Sequence, residues 1–115
     1  MILKAEQRVF EQREHMRGGP GICTVASVPP DALCPHVRLV TEITIPPGAG
    51  IGPHRHEAET EYYWILEGRG LVDEGDSMTE VGPGDVVITG GGAQHSIINR
   101  EQIPLKFLAV IVTEA

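Results

Sequence analysis

The chain has 115 residues and a formal net charge of -7, and its Lys and Arg residues are scattered rather than clustered. This length predicts one domain with a single core. The acidic balance argues against a nucleic-acid partner, because a phosphate backbone requires a basic surface, and no basic segment supports a membrane-surface role. With 14 glycines and 9 prolines between short apolar runs, the composition favours strands joined by tight turns.

The N-terminal residues 1–21 are charged and have no uninterrupted apolar stretch. They lack the pattern of a signal peptide, and no later segment reaches transmembrane length, so we expect a cytoplasmic location without membrane contact. Residues 4–17 show neither a clear helical period nor a clear strand period. We expect an extended arm, with a short helix as the alternative, and the RGGPG run at 17–21 predicts a flexible loop after it.

Strand signals recur at short intervals after the arm. The run HVRLVTEITI (36–45) alternates, with its valine, leucine and isoleucine side chains mostly on one face and Arg38, Glu42 and Thr44 on the other. Further apolar runs are ICTVASV (22–28), EYYWIL (61–66), GLVD before a turn at 74–77, DVVIT, HSIIN and LKFLAVIVT (105–113). Eight or nine short strands and no evident helix predict an all-β sandwich or barrel.

Two histidines one residue apart, His54 and His56, lie in the run GIGPHRHEAETEYYWILEG. In an extended segment their side chains share a face, and a carboxylate, Glu61, and a third imidazole, His95, follow at the starts of later strands. Three imidazoles and one carboxylate suit a divalent ion such as Mn, Fe, Co, Ni or Zn. Calcium and magnesium prefer oxygen ligands, and structural zinc prefers cysteine. The pair by itself is equally compatible with two polar side chains on a turn.

The spacing around these residues resembles the two sequence motifs of the cupin superfamily. From Gly48 the chain reads G-x5-H-x-H-x4-E-x6-G, and from Gly84 it reads G-x5-G-x-G-x2-H-x3-N. Gly90 stands where the family usually has proline. The resemblance implies a double-stranded β-helix, the jelly-roll barrel of the cupins, with residues 41–113 as its core. The whole chain, 1–115, would then be a single cupin domain with residues 1–21 as an N-terminal arm and loop.

The same resemblance implies a metal site. Its ligands would be His54, His56, Glu61 and His95, with manganese as the first expectation for the ion and iron, nickel, cobalt or zinc as alternatives. Such a site leaves open coordination positions for water or for a small anionic or carboxylate ligand.

Near the expected site, Tyr63 and Arg17 are the candidates for a catalytic part. Tyr63 shares the strand parity of Glu61 and should face inward, where it either directs its hydroxyl at a bound ligand or simply fills the core. Arg17 either folds over the barrel mouth to pair with an anion or is a solvated loop charge. Trp64 should face away and pack between the sheets or across a subunit contact. Glu59 is interpreted as a solvated charge.

Cupins include enzymes and binding modules, so the fold does not select a chemistry. A small cupin with an N-terminal arm and an RGG loop is similar to those described as oxalate-decarboxylase-like. The first hypothesis is therefore a metal-dependent enzyme or binder acting on a small carboxylate such as oxalate. The alternatives are an Fe(II)-dependent dioxygenase and a non-enzymatic ligand-binding module. The exposed edges of a short barrel also predict a homodimer, with the arm (1–12) and the C-terminal strand as contacts.

Overall fold

The computed structural model describes residues 1–114. Within this range the chain forms ten strands and three short 3₁₀ turns at Ala5–Gln7, Met16–Gly18 and Pro30–Ala32, and it contains no α-helix. None of these helical turns is long and apolar enough to cross a membrane. The strands are β1 Phe10–Glu14, β2 Ile22–Ser27, β3 Val37–Ile45, β4 Gly50–Arg55, β5 Glu59–Glu67, β6 Gly70–Asp73, β7 Met78–Val81, β8 Val86–Gly90, β9 Gln94–Ile98 and β10 Leu105–Thr113.

The strands form two antiparallel sheets. One sheet has six strands in the order β1-β2-β3-β10-β5-β8, and the other has four in the order β4-β9-β6-β7. Their inner faces share one apolar core, and strands that are distant in sequence pair with each other, as a jelly roll requires. The predicted all-β jelly-roll class is therefore confirmed. The two sheets face each other as a sandwich and do not close into one hydrogen-bonded cylinder.

Alternation of side chains along the strands builds the core. In β10 every second residue is buried, from Leu105 to Ile111, and in β5 Glu61, Tyr63 and Ile65 face inward as predicted. Trp64 lies on the outer face of β5 and is 55% exposed. The suggestion that Trp64 packs between the sheets is therefore wrong, because the strand parity of β5 directs it to the outside.

The N-terminal arm forms an edge strand of the larger sheet. The segment β1 is extended, as expected, and pairs antiparallel with β2 of the same chain from Phe10↔Ala26 to Glu14↔Ile22. The loop that follows returns to the second sheet, where the backbone N–H of Gly50 donates to the carbonyl of Pro20 at 2.9 Å. The turn at Met16–Gly18 thus lies beside β4, the strand that carries His54.

Two β-bulges interrupt the alternation near the site. Between Ile51 and His54 the strand β4 advances by three residues while β9 advances by two, so one extra residue is accommodated at Gly52-Pro53. In β3 the residues Val37 and Leu39 pair with successive residues of β10, which makes Arg38 the extra residue. A bulge changes the direction of the side chains beyond it, so strand parity alone does not predict which way these side chains point.

Candidate metal centre

The structure brings the four predicted ligand residues together. His54 lies on β4, His56 directly follows that strand, Glu61 lies on β5 and His95 on β9. The Nε2 atom of His95 is 3.0 Å from Nε2 of His54 and 3.0 Å from Nε2 of His56. The Oε1 atom of Glu61 lies 2.9, 3.0 and 3.7 Å from Nε2 of His56, His95 and His54. One ligand atom from each residue therefore lies within 4.8 Å of the others.

The bulge in β4 gives His54 its inward direction. Ile51 is buried in the core and lines the same cavity as His54, although the two residues have opposite strand parity. The extra residue at Gly52-Pro53 lets both face inward, and it places His54 directly across from His95 on β9. Proline suits this position because a bulge leaves a backbone group outside the ladder and Pro53 has no N–H to pair.

Each imidazole is held by a different partner at its Nδ1 atom. His54 Nδ1 lies 2.8 Å from the Gly52 carbonyl oxygen, and His56 Nδ1 lies 2.6 Å from Oε2 of Glu59. Since a carbonyl and a carboxylate only accept hydrogen bonds, these two Nδ1 atoms carry the proton and the Nε2 atoms present lone pairs. The third ring, His95, has the Thr89 hydroxyl 2.8 Å from its Nδ1.

The electrostatics of the cluster match the needs of a cation site. Burial raises the pKa of Glu61, but its contacts with the surrounding imidazoles, first those of His54 and His95, lower it more, to about 2. Burial lowers the pKa of His95 below its usual value. At neutral pH the carboxylate is ionised and the His95 ring is neutral, as metal ligands must be. A three-histidine, one-carboxylate cluster of this kind is suited to a divalent transition metal.

Tyr63 lies beside this cluster. Its ring stacks on the His95 ring with 4.8 Å between centroids and packs against Phe107 at 4.4 Å. Burial, together with the negative charge of Glu61, raises the pKa of the Tyr63 hydroxyl well above its usual value. The hydroxyl therefore stays protonated, and the residue both fills the core and contributes to the wall of the cavity next to the cluster.

A cavity of about 570 Å³ opens from the cluster towards the arm. Its volume is within the usual range for small-molecule sites. Arg17 lies in its wall, and among residues 1–114 no carboxylate lies within ion-pair distance of that guanidinium. The lining residues are Gln12, Arg13, Glu14, Met16, Arg17, Val25, Ser27, Arg38, Leu39, Thr41, Ile43, Ile51, His54, His56, Glu61, Tyr63 and Ile111.

Two polar residues at the site were missed by the sequence interpretation. Glu59 is not a solvated charge: its side chain is only 14% exposed, it accepts from His56, and its pKa is lowered chiefly by the hydrogen bond from Arg38. Arg38 does not simply face outward, since it lines the cavity and donates to both carboxylate oxygens of Glu59 at 2.9 and 3.0 Å. The misplacement of Arg38 is explained by its bulge. The misinterpretation of Glu59 was avoidable, because Glu59 shares the strand parity of Glu61.

Comparisons with known proteins agree with this architecture. A protein named oxalate-binding protein, from Thermotoga maritima, is 35% identical over 113 residues, which cover 97% of this chain and 93% of that protein. An uncharacterized protein of Methanocaldococcus jannaschii is 35% identical over 71 residues, which cover 62% of this chain and 57% of the relative.

A similar solved structure leads to the same fold. The crystal structure of a predicted oxalate decarboxylase from Thermotoga maritima superposes with a TM-score of 0.92 at 35% identity, covering 98% of this chain and 99% of that one. The family described as Cupin domain matches residues 41–111, which include all four clustered residues. The chain belongs to the cupin family.

Proposed function

We propose that this protein binds a small dicarboxylate, of the size and charge of oxalate, at a divalent metal held by His54, His56, Glu61 and His95. One observation carries the proposal: the cluster lies in a cavity whose wall also contains Arg17, a cation without a carboxylate partner among residues 1–114. A metal and a guanidinium facing one cavity favour a ligand with two anionic groups.

Each residue has a distinct part in this proposal. The four clustered residues hold the ion, for which manganese is the first expectation, and the bound ion supplies positive charge and open coordination positions for a carboxylate. Arg17 pairs with a carboxylate of the ligand through its planar guanidinium. Tyr63 lies in the cavity wall with a hydroxyl that stays protonated at neutral pH and is able to donate a hydrogen bond to the bound anion.

The relatives support this choice of ligand. One similar protein is named for oxalate binding and another is described as a predicted oxalate decarboxylase, both over nearly the full length of this chain. We propose oxalate or a closely similar anion for this protein on that ground, whether it binds the anion or also converts it. The cytoplasmic location expected from the N-terminal residues stays a prediction.

The test combines metal analysis with calorimetry. Protein purified without chelator should contain close to one equivalent of a transition metal, and His54→Ala and His95→Ala should lose most of it, because each removes one of four ligands. Oxalate should bind the metal-loaded protein, and Arg17→Ala should weaken that binding roughly 10-fold to 100-fold, the worth of a charge-assisted hydrogen bond. Arg100→Ala, at an exposed arginine outside the cavity, is the matched control.

The outcomes separate the alternatives. Unchanged metal content in both histidine variants would contradict the ligand assignment, and equal oxalate affinity in Arg17→Ala and Arg100→Ala would contradict the role of Arg17. Incubating the manganese-loaded protein with oxalate, while measuring formate, carbon dioxide and oxygen uptake, then distinguishes a decarboxylase, an oxygen-consuming enzyme and a binding module.

A further inference from the structure

A line of polar contacts runs from the cavity wall to one ring of the cluster. The guanidinium of Arg38 donates to both oxygens of Glu59, with 3.0 Å from Nε to Oε1 and 2.9 Å from Nη2 to Oε2. The Oε2 atom of Glu59 also accepts from Nδ1 of His56 at 2.6 Å. The opposite ring nitrogen of His56 belongs to the cluster. The three side chains therefore form one continuous series that ends at a candidate metal ligand.

The partners of the three imidazoles are not equivalent. His54 is held by a backbone carbonyl and His95 by a hydroxyl, whereas His56 is held by a carboxylate. A carboxylate fixes the tautomer more firmly than the hydroxyl does, because it cannot donate a hydrogen bond. It also does so more firmly than the neutral carbonyl, because its charge favours the N–H that points at it. It also makes the opposite ring nitrogen more basic.

We propose that Glu59 and Arg38 are positioning residues for the metal: Glu59 holds His56 with its proton on Nδ1 and its Nε2 directed at the ion, and Arg38 acts through Glu59 by fixing the carboxylate in place. The inference rests on the proposed metal site. It predicts that substitutions at Glu59 and Arg38, neither of which is a ligand of the ion, alter the metal affinity.

Arg38 suits this part because of its place in the fold. It is the extra residue of the bulge in β3, so its side chain is free of the strand alternation and reaches Glu59 at the start of β5. The bidentate contact fixes the plane of the carboxylate as well as its position. Without that contact, Glu59 could rotate towards the solvent and leave His56 free to change tautomer or to turn.

The test is a metal titration of chelator-treated protein with Mn²⁺ and, separately, with Co²⁺. Glu59→Gln should weaken Mn²⁺ binding about 10-fold to 100-fold, the usual effect of removing an outer partner of a ligand. The reason is that a glutamine amide is also able to donate to Nδ1, which permits the tautomer with its proton on Nε2. Glu57→Gln is the matched control: the same change at an exposed neighbour that has no contact with the imidazoles among residues 1–114, with affinity expected within about twofold.

The visible spectrum of the Co²⁺ form gives a readout that general loss of stability does not move. Its ligand-field bands should shift in Glu59→Gln and stay unchanged in Glu57→Gln, because only the first change disturbs the geometry of a ligand. Arg38→Gln provides a second variant at the half-exposed end of the series, where the side chain is less buried than Glu59. It should weaken Mn²⁺ binding less than Glu59→Gln does.

The double variant decides whether Arg38 acts through Glu59. If it does, adding Arg38→Gln to Glu59→Gln should produce no further loss of Mn²⁺ affinity, whereas independent effects would multiply. The inference would be overturned if the effects of the two substitutions multiplied in the double variant. It would also be overturned if Glu59→Gln bound Mn²⁺ within about twofold of the unchanged protein. If the unchanged protein bound neither ion, the proposed metal site itself would be wrong, which is a different and distinguishable result.

Discussion

At the scale of single residues, Tyr63 shows how one side chain contributes to both packing and the site. Its ring lies between the His95 ring and Phe107, so its bulk helps to hold a candidate ligand in place. Its hydroxyl is the part that adds polarity to the cavity wall. The two sequence interpretations of Tyr63, as core residue and as ligand contact, are therefore separable by removing the hydroxyl alone.

Tyr63→Phe should leave the metal affinity within about twofold but weaken oxalate binding to the metal-loaded protein about fivefold to tenfold, the worth of one hydrogen bond. The ring stack on His95 survives the change, and Glu61 loses its contact with the hydroxyl but keeps its contacts with the imidazoles, so the four ligands stay together. Calorimetric titration with oxalate measures the effect. Tyr62→Phe removes the same atom from the neighbouring residue, which faces outward and is 39% exposed. Indistinguishable oxalate affinities in the two variants would show that the Tyr63 hydroxyl only satisfies the core.

At the scale of elements, the packing of one turn against one strand positions Arg17. The turn at Met16–Gly18 lies on β4 beside Gly52, whose carbonyl also holds His54. A Cβ atom at Gly52 would overlap the carbonyl group of Arg17 and would lie 3.0 Å from the backbone nitrogen of Gly19. These are backbone atoms, so no flexible side chain could move aside. The absence of a side chain at Gly52 thus allows the turn to bring Arg17 to the cavity.

Gly52→Ala should therefore displace the turn, with a cost of about 1–3 kcal/mol in the free energy of unfolding. This corresponds to a fall in Tm of roughly 4 °C per kcal/mol for a domain of this size. Oxalate affinity should fall in parallel, because Arg17 moves with the turn. Differential scanning calorimetry and oxalate titration measure the two effects.

Gly82→Ala is the matched control for Gly52→Ala, because its added Cβ would meet only the end of the Arg69 side chain, at 2.9 Å, which can move away. A Gly52→Ala protein that melts and binds oxalate like Gly82→Ala would show that the turn does not depend on this close approach.

The strands β5 and β3 show what the sequence can and cannot predict. Strand parity predicted that Glu61 and Tyr63 face inward, because β5 alternates without interruption at these positions. His56, which directly follows β4, was predicted from the motif spacing and its place two residues after His54. Arg38 was misplaced, since its bulge is defined by pairing with β10, which lies far along the chain. The position of Arg17 likewise depends on contacts between a turn and a distant strand. Local periodicity carries no information about either contact.

At the scale of the whole molecule, an apolar face is left on the outside of the larger sheet. The exposed side chains on the outer faces of β5 and β8 are Tyr62, Trp64, Leu66, Val86 and Ile88. Because Tyr62 pairs with Ile88 and Trp64 with Val86, these side chains lie next to one another across the two strands. The strands β1 and β8 form the two edges of the sheet, and the exposed N-terminal residues Met1, Ile2, Val9 and Phe10 lie at or before β1. The β5–β8 face and the arm are thus two separate surfaces available for a subunit contact, and the predicted homodimer stays a prediction.

The expected contacts of that dimer need one revision. The C-terminal strand β10 lies inside the six-stranded sheet between β3 and β5, so its backbone groups are already paired and only its outer face remains for a contact. The arm, in contrast, ends the sheet at β1 with all five residues exposed. The arm therefore offers an open strand edge as well as exposed apolar side chains, whereas β10 offers no open edge.

Light scattering should give a mass of about 25 kDa, twice the 12.4 kDa of one chain, if the arm joins two copies around a two-fold axis. Replacing Val9 and Phe10 by serine should then shift the mass towards a single chain at low micromolar concentration, because these side chains lose apolar contact area. Trp64→Ser tests the other surface and should leave the mass unchanged. A shift caused by Trp64→Ser alone would place the contact on the outer face of β5 and β8, and a mass of one chain for the unchanged protein would contradict the dimer.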